Sequence, residues 1–310
     1  MRKLIWLSMF SVLLAACSAP PASPTTASQT TPPVAALPTT APAQASNAPA
    51  VDLSAELNAL RTGDTATAIA GLEKILANAP ASSEAHLLLG QAYYRADQKD
   101  KADEQFMAAF QLNPAAVPLL DSQDADEWLK LGNAHASLGQ LDEALAAYQT
   151  ALKIRPDKPA ALTNIGVVYY QQGKFDDAVQ QLQKALEIDP QDAETHYMLG
   201  ATYVQQQKLD EAEKSFNTAI ELKPDLAAAY TGLGNVQLAR KNVDEAIKTL
   251  QEATSRQPNQ AEAWLALGQA YAAQGTKTEA SKALNQCLQT SQPGPLRSRC
   301  EQVLQQLGTP

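Results

Sequence analysis

The sequence is poor in the residues that carry most protein chemistry. Its 310 residues include three Cys and three His, and aromatic residues make up 5% of the chain. This low aromatic content argues against a large aromatic core. No glycine-rich phosphate-binding loop is present, and the scattered His and Cys offer no metal-ligand cluster. We therefore predict no cofactor, no bound metal and little capacity for catalysis.

Basic residues are scarce relative to acidic ones. Lys and Arg number 24 against 33 Asp and Glu, which gives a formal net charge of −9. Proteins that bind nucleic acid place Lys and Arg against its phosphates. The acidic balance therefore argues against a nucleic-acid partner. The plentiful Ala, Leu and Gln favour helix.

The apolar run near the start of the chain is too short to span a membrane. Residues 4–16 are largely apolar, whereas a spanning helix needs about 20 apolar residues. Arg2 and Lys3 precede the run and small residues end it, which is the pattern of an export signal. We predict that residues 1–16 are a signal peptide.

The residues Leu14, Ala15, Ala16 and Cys17 resemble the lipobox of bacterial lipoproteins. The resemblance implies that the Cys17 sulfur receives a diacylglyceryl group and that Cys17 becomes the mature N-terminus. Two or three acyl chains anchor a protein firmly, since each buried CH₂ contributes about 0.8 kcal/mol. The expected location is outside the cytoplasm, lipid-anchored to a bacterial cell membrane or outer membrane. An ordinary signal peptide with an incidental Cys is the alternative.

A tether of Pro, Ala, Thr, Ser and Gln follows and reaches residue 50. Residues 18–50 contain eight Pro and no charged residue. Such a segment cannot bury enough apolar surface to offset the entropy cost of ordering. We predict that residues 17–50 are a disordered, extended spacer, with O-glycosylation of its Thr and Ser as a further hypothesis.

Glycine and proline recur every 34 residues through the remainder of the chain. The series comprises Gly132, Gly166, Gly200, Gly234 and Gly268 with Pro156, Pro190, Pro224 and Pro258. Gly90 and Pro114 precede their nearest equivalents by 42 residues, which marks an insertion at 117–124. The spacing predicts seven units, at 49–82, 83–116, 125–158, 159–192, 193–226, 227–260 and 261–294. The insertion is expected to be a plain spacer, with contact to a partner as the alternative.

Each unit has the pattern of a helix, a turn and a second helix. In 125–158, Trp128, Leu131 and His135 share one helical face by their spacing. Gly132 lets the second helix approach closely, and Gly139 lies where the chain turns. The second helix and its end carry Ala144, Tyr148, Ala151 and Pro156.

These residues resemble the tetratricopeptide repeat (TPR), and the resemblance covers most of the chain. It implies an all-α fold, a right-handed α-solenoid of about seven helix-turn-helix repeats. The first unit departs most, because Glu56 stands where glycine is expected. His86, His135 and His196 take positions of packing residues and are expected in or near the core.

The end of the chain has the pattern of a capping helix, predicted at 295–310. Its apolar residues follow helical spacing and comprise Leu296, Cys300, Val303, Leu304 and Leu307. Such a helix covers the apolar side of the last repeat. Cys287 lies at a packing position beneath it. Outside the cytoplasm Cys287 and Cys300 can form a disulfide, and two buried thiols are the alternative.

The TPR resemblance implies a concave groove lined by the first helices of the units. The candidate groove residues are Gln91, Tyr94, Arg95, Lys130, Asn133, Asn164, Tyr170, Tyr197, Asn235 and Gln269. Asn133 and Asn235 directly follow their repeat glycines, and an Asn amide can donate to and accept from a peptide bond. The alternative is that these Asn residues are part of the repeat pattern and bind no ligand. Arg95 and Lys130 are the group's two cations, too few for the carboxylate clamp of chaperone-binding relatives.

These observations predict a membrane-tethered, non-enzymatic scaffold that binds peptide or protein partners in the groove. The first alternative is a dedicated assembly factor for an envelope machine, either a type IV pilus and its secretin or the machinery that assembles outer-membrane proteins. A cell-wall or carbohydrate-processing enzyme is less favoured, because no paired carboxylates or metal ligands are evident. The sequence does not identify the partner.

Overall fold

The computed structural model describes residues 51–113 and 124–308, which contain fifteen α-helices and no β-strand. The helices are α1 Ser54–Thr62, α2 Thr65–Asn78, α3 Ser83–Arg95, α4 Lys99–Leu112, α5 Ala125–Ser137, α6 Leu141–Ile154, α7 Pro159–Gln171, α8 Phe175–Ile188, α9 Ala193–Gln205, α10 Leu209–Leu222, α11 Ala227–Ala239, α12 Val243–Arg256, α13 Ala261–Gln274, α14 Lys277–Thr290 and α15 Pro295–Gln306. The predicted signal peptide, Cys17, the tether to residue 50 and residues 117–123 of the insertion lie outside the described residues.

The helices α1–α14 pair into antiparallel hairpins that stack in chain order. Each first helix packs on the second helix of its own hairpin, and each second helix also packs on the first helix of the next. A single hairpin cannot bury its apolar faces alone, so the stack supplies the core. The predicted all-α solenoid of TPR-type hairpins is confirmed.

The repeat glycines are required where two helices of a hairpin cross. A Cβ at Gly166 would lie 2.7 Å from Leu182 Cγ, and one at Gly200 would lie 2.8 Å from Phe216 Cε1. Both distances are far below ordinary van der Waals contact, so any larger side chain forces the helices apart. The periodic glycine thus fixes the close approach within each hairpin.

The first hairpin reaches the same packing by the opposite arrangement. Glu56 stands on α1 where the other units have glycine, and the small residue Gly71 lies opposite on α2. A Cβ at Gly71 would lie 2.6 Å from Glu56 Oε1 and 2.9 Å from its Cγ. The Glu56 side chain of α1 therefore occupies the space that the absence of a side chain at Gly71 leaves on α2.

A polar ladder links consecutive hairpins. A residue at the end of a first helix donates to an Asp at the start of the preceding second helix. The bonds join Gln172 to Asp142 at 3.2 Å, Gln206 to Asp176 at 2.7 Å, Gln274 to Asp244 at 2.7 Å, and Arg240 to Asp210. The ladder bonds repeat with the 34-residue period and tie the last five units into one array.

Ring nitrogens cap the proline carbonyl that closes a unit. His86 Nε2 lies 3.0 Å from the Pro80 carbonyl, and His196 Nε2 lies 3.0 Å from the Pro190 carbonyl. Trp264 Nε1 donates to the Pro258 carbonyl at 2.8 Å. His residues at this position thus have the same contact as Trp, which gives them a structural role.

His135 is buried between two units. Its ring stacks on Phe110 at 3.6 Å, and its Nδ1 lies 2.8 Å from Gln140 Oε1. Burial lowers the pKa of His135, while Gln140 and Glu143 act in the opposite direction. The ring is therefore part of the packing between the second and third units.

The helix α15 covers the end of the stack. Its apolar side packs on Leu284, Leu265 and Ala261, and it contacts both α13 and α14. A disulfide joins Cys287 to Cys300, whose Cα atoms are 6.4 Å apart, and both residues are fully buried. Covalent attachment thus holds the covering helix on the last hairpin.

Candidate functional site

The first helices of the last five units form one continuous row. The helices α5, α7, α9, α11 and α13 each contact the next member of the row. Because the second helices lie behind them, the exposed side chains of the row share one surface. We call this surface the groove, and it carries most of the predicted binding residues.

Two predicted groove amides meet across a unit boundary. Asn164 Nδ2 on α7 donates to Asn133 Oδ1 on α5 at 2.8 Å. The same oxygen accepts from the Tyr148 hydroxyl at 2.9 Å. The two donors fix the Asn133 amide plane and direct its own Nδ2 away from them. An oriented amide on an exposed residue can bind a peptide carbonyl without first being ordered.

Two predicted tyrosines form the aromatic part of the groove. The Tyr170 ring lies edge-on to Phe175 at 5.6 Å, and the Tyr197 ring lies 5.9 Å from Phe216. Burial raises the pKa of Tyr170, and the neighbouring Tyr197 raises it further. These rings are held against the core and present partly exposed faces to the groove.

Asn235 on α11 and Gln269 on α13 continue the amide series. Each follows its repeat glycine and is partly exposed. Their position in the row matches that of Asn133, so amides recur on three of the five first helices. These three amides lie on α5, α11 and α13, and consecutive ones are three units and one unit apart.

Gln91 departs from the expected exposed position. Its side chain is 0% exposed, and its Nε2 donates at 2.7 Å to Glu127 Oε1, itself on a residue that is 1% exposed. The pair joins the second unit to the third beside the insertion. The buried position excludes Gln91 from direct contact with a partner, and sequence reasoning missed Glu127 because the insertion obscures which residues face each other.

The two cationic residues predicted for the groove both bond to other residues of the chain. Lys130 Nζ bonds Asp103 at 2.7 Å, and Arg95 Nη1 donates to the Leu60 carbonyl at 3.2 Å. The Tyr94 hydroxyl donates to Asp124 Oδ2 at 3.3 Å. These residues lie at the first unit boundaries and stabilise them, so the amides and tyrosines further along are the stronger binding candidates.

A hydroxyl chain beside the tyrosines was not predicted. Thr163 Oγ1 and Thr195 Oγ1 are 2.7 Å apart, and Thr195 donates to Asp192 Oδ2 at 2.5 Å. Thr195 is 0% exposed, so the chain orders the boundary between α7 and α9 below the surface. Thr at this position is not periodic, and the repeat pattern therefore contains no signal for it.

The described part of the chain contains no group of three or more His, Cys, Asp or Glu that could hold a metal ion. Within the same residues, no helix has the length and apolarity to cross a membrane. The chemistry on the groove is hydrogen bonding and aromatic contact.

Comparison with known proteins identifies the repeat. Profiles described as TPR repeat or tetratricopeptide repeat match residues 59–120, 132–173, 166–207, 203–265 and 242–295. The chain is a tetratricopeptide repeat protein. The TPR profiles extend over hairpins from the first unit to the last.

Related proteins share the TPR region over part of their length. The Photosystem I assembly protein Ycf3 of Rippkaea orientalis is 30% identical over 82 residues, which are 26% of this chain and 47% of that protein. The BBSome complex member BBS4 of Mus musculus is 31% identical over 83 residues, 27% of this chain and 14% of that protein. The matches thus span less than half of these curated relatives.

A solved structure of a thermophilic TPR protein from Thermus thermophilus supports the fold alone. Its TM-score is 0.52 at 23% identity, and the match covers 58% of this chain and 99% of that one. The TPR fold is typical of protein interaction scaffolds, which bind along an extended surface.

Proposed function

We propose that this TPR protein is a non-enzymatic scaffold whose groove binds an extended segment of a partner protein. The observation that carries the proposal is the oriented amide pair Asn133–Asn164 on the same row of helices as Tyr170 and Tyr197. Amides supply hydrogen bonds to a peptide backbone, and partly exposed rings supply apolar contact for its side chains. Together they favour a peptide ligand over a small polar metabolite.

A pull-down from membranes tests the groove. The full chain and its variant Asn133→Ala/Asn164→Ala/Asn235→Ala are cross-linked in cells and purified, and recovered partners are quantified. Recovery by the variant is expected to fall at least fivefold. The matched control is Lys184→Ala/Asn217→Ala/Lys248→Ala, on exposed positions of the second helices. Equal recovery by wild type and groove variant, with equal thermal stability, would contradict the proposal.

We further propose that lipid at Cys17 holds the scaffold on the extracytoplasmic side of a bacterial membrane. The support is the lipobox-like sequence and the Cys287–Cys300 disulfide, which suits an oxidising compartment. Cys17→Ser should abolish incorporation of labelled palmitate and release the chain from membranes. Continued labelling would show that Cys17 is not the lipidated residue.

A role in assembly is the second candidate, and the likeness to the Photosystem I assembly protein Ycf3 favours it. An assembly factor binds its client transiently and is absent from the finished complex. Deleting the gene should then lower the amount of an assembled envelope complex while its subunits are still synthesised. A permanent scaffold would instead co-purify with the mature complex in a fixed ratio.

A further inference from the structure

Charged residues are almost absent from the first helices that form the groove in the last four units. The helices α7 and α11 contain no Asp, Glu, Lys or Arg, whereas α9 and α13 contain one each, Glu194 and Glu262, in their first turns. The second helices of these units, α8, α10, α12 and α14, carry three to five charged residues each. The charge of the last four units is thus concentrated outside the groove.

An uncharged groove selects against charged ligands. A charged side chain that is buried without a counter-charge loses its hydration and gains no compensating ion pair. Glu194 already pairs with Lys223 at 2.8 Å. The groove therefore favours a segment of neutral residues, whose backbone its amide side chains can bind.

The chain itself contains such a segment. Residues 18–50, the tether, lie outside the described residues and include eight Pro and no charged residue. Val34 and Leu37 are the only large aliphatic residues of the tether. Pro33 and Pro38 flank this pair. Because Pro fixes its own φ and restricts the preceding residue to extended conformations, the sequence around the pair favours polyproline II.

The spacing of the aliphatic pair matches the spacing of the groove helices. A polyproline II helix has three residues per turn, so Val34 and Leu37 would share one face about 9 Å apart. Packed helices lie about 8–10 Å apart, and α7 and α9 are neighbours in the row. Tyr170 on α7 and Tyr197 on α9 are both partly exposed. Each of the two rings can therefore contact one aliphatic side chain of the pair.

The tether is long enough to place the pair over these helices. Leu37 lies thirteen residues before Ala50, which is about 40 Å in polyproline II. The helix α1 begins at Ser54, and α7 lies three units further along the stack. Three steps at the spacing of packed helices amount to about 30 Å, so the tether can run from α1 to α7 and beyond.

We propose that the tether of the same chain lies in the groove until a partner segment displaces it. Leu37 packs on Tyr170. Val34, one turn earlier, packs on Tyr197. Aromatic-lined grooves bind polyproline II segments with little loss of entropy, and covalent connection raises the effective concentration of the tether. This inference rests on the proposed function and adds that the groove accepts neutral, extended, Pro-flanked segments.

Photo-cross-linking within the full chain in detergent tests the position of the tether. In separate variants, Thr40 and Thr31 are replaced by p-benzoylphenylalanine, since these residues lie one turn to either side of the pair and share its face. The proposal places Thr40 over α5 and Thr31 over α11. Mass spectrometry of chains irradiated at low concentration should identify these two helices. Cross-links confined to the second helices, cross-links between two copies, or no cross-links would overturn the proposal.

Deletion of one residue tests the spacing of the pair. Without Ala35, Val34 and Leu37 are two residues apart and lie on different faces of a polyproline II helix. The yield of the cross-link from Thr40 to α5 should then fall at least fivefold. Deletion of Ala27 shortens the tether equally and preserves the pair, so the yield should change less than twofold. Equal yields in the two deletion variants would contradict the proposed contact.

Partner recovery separates this inference from the proposed function. Deletion of Ala35 should raise partner recovery in the pull-down at least twofold, because the tether no longer competes for the groove. Asn133→Ala/Asn164→Ala/Asn235→Ala should lower it. If the groove variant lowers recovery while deletion of Ala35 changes neither recovery nor cross-linking, the tether contact is overturned and the groove remains supported. A groove variant that changes neither recovery nor cross-linking would contradict both.

Discussion

Three of the turns inside the hairpins have a non-glycine residue at a position where glycine would be less strained. Each of the seven hairpin turns has one residue with positive φ, and four of these are glycine: Gly63, Gly139, Gly173 and Gly275. Asp97, Gln207 and Lys241 occupy the others with φ of 56°, 61° and 64°. A side chain in this left-handed region costs about 1–2 kcal/mol. The costs are tolerated because each turn is held by two packed helices.

Replacing these residues with glycine should therefore stabilise the fold. Gln207→Gly and Lys241→Gly are each expected to raise the free energy of unfolding by about 1 kcal/mol, less than the full strain because glycine is also more disordered when unfolded. Urea unfolding followed by circular dichroism measures the change. Gly173→Ala, with φ of 74°, is the reciprocal control and should lose stability. Unchanged unfolding midpoints in all three variants would contradict the strain argument.

The buried His135 should make stability depend on pH. Its pKa is lowered in the folded chain, so below the ordinary value of 6.5 the unfolded chain binds the proton more readily. The free energy of unfolding should then fall as the pH drops from 6.5, by at most about 1.4 kcal/mol per pH unit for one proton.

Urea titrations at pH 7 and pH 5 measure this contribution. The variant His135→Phe keeps a flat ring on Phe110 and cannot titrate, so its loss of stability over this range should be smaller than that of wild type. Identical pH dependence in the two proteins would assign the effect to other groups.

At the scale of elements, the sequence predicted which segments become helices, but it did not predict every residue contact between those helices. Periodic glycine and bulky residues identified the hairpins because the packing of two helices repeats in every unit. In the first hairpin, the sequence showed that Glu56 replaces the repeat glycine. It did not show that Gly71 compensates, because that glycine lies on the other helix of the hairpin. Burial of Gln91 was not predictable, because it depends on Glu127 beyond an insertion whose path the repeat does not define.

The first hairpin offers a direct test of compensation. Gly71→Ala should lower the stability of wild type, because its Cβ would collide with Glu56. In a Glu56→Gly background the same change should be neutral or stabilising, since Ala is favoured over Gly inside a helix. A double-mutant cycle in urea should give a coupling of at least about 1 kcal/mol. Additive effects would show that the two residues do not compete for space.

The covering helix α15 depends on its covalent bond. In the chain-entropy model, closing a loop of about 15 residues stabilises a protein by about 3 kcal/mol. Reduction, or Cys287→Ala/Cys300→Ala, should therefore lower the global stability and accelerate amide exchange in α14 and α15 first. Hydrogen exchange with mass spectrometry measures both effects. Uniform acceleration in every unit would argue against a local role for the disulfide.

At the scale of the whole molecule, stability comes from the coupling between neighbouring units. The ladder bonds each contribute about 1 kcal/mol as ordinary net hydrogen bonds. Gln206→Ala and Gln274→Ala should therefore each lower stability by about this amount, and the double variant by the sum, because they lie two units apart. Chemical unfolding of the three variants measures the additivity. A strongly non-additive double variant would show that the units do not couple only to their neighbours.

The covalently held α15 also determines how copies of the molecule can associate. A stack of near-identical hairpins presents different faces at its two ends, so a head-to-tail contact between copies would continue into a filament. Because α15 is bonded over the last hairpin, Leu265 and Leu284 of that hairpin are covered and are not presented to the α1 side of another copy. The bond between the two sulfur atoms therefore keeps covered the surface through which copies would stack head to tail.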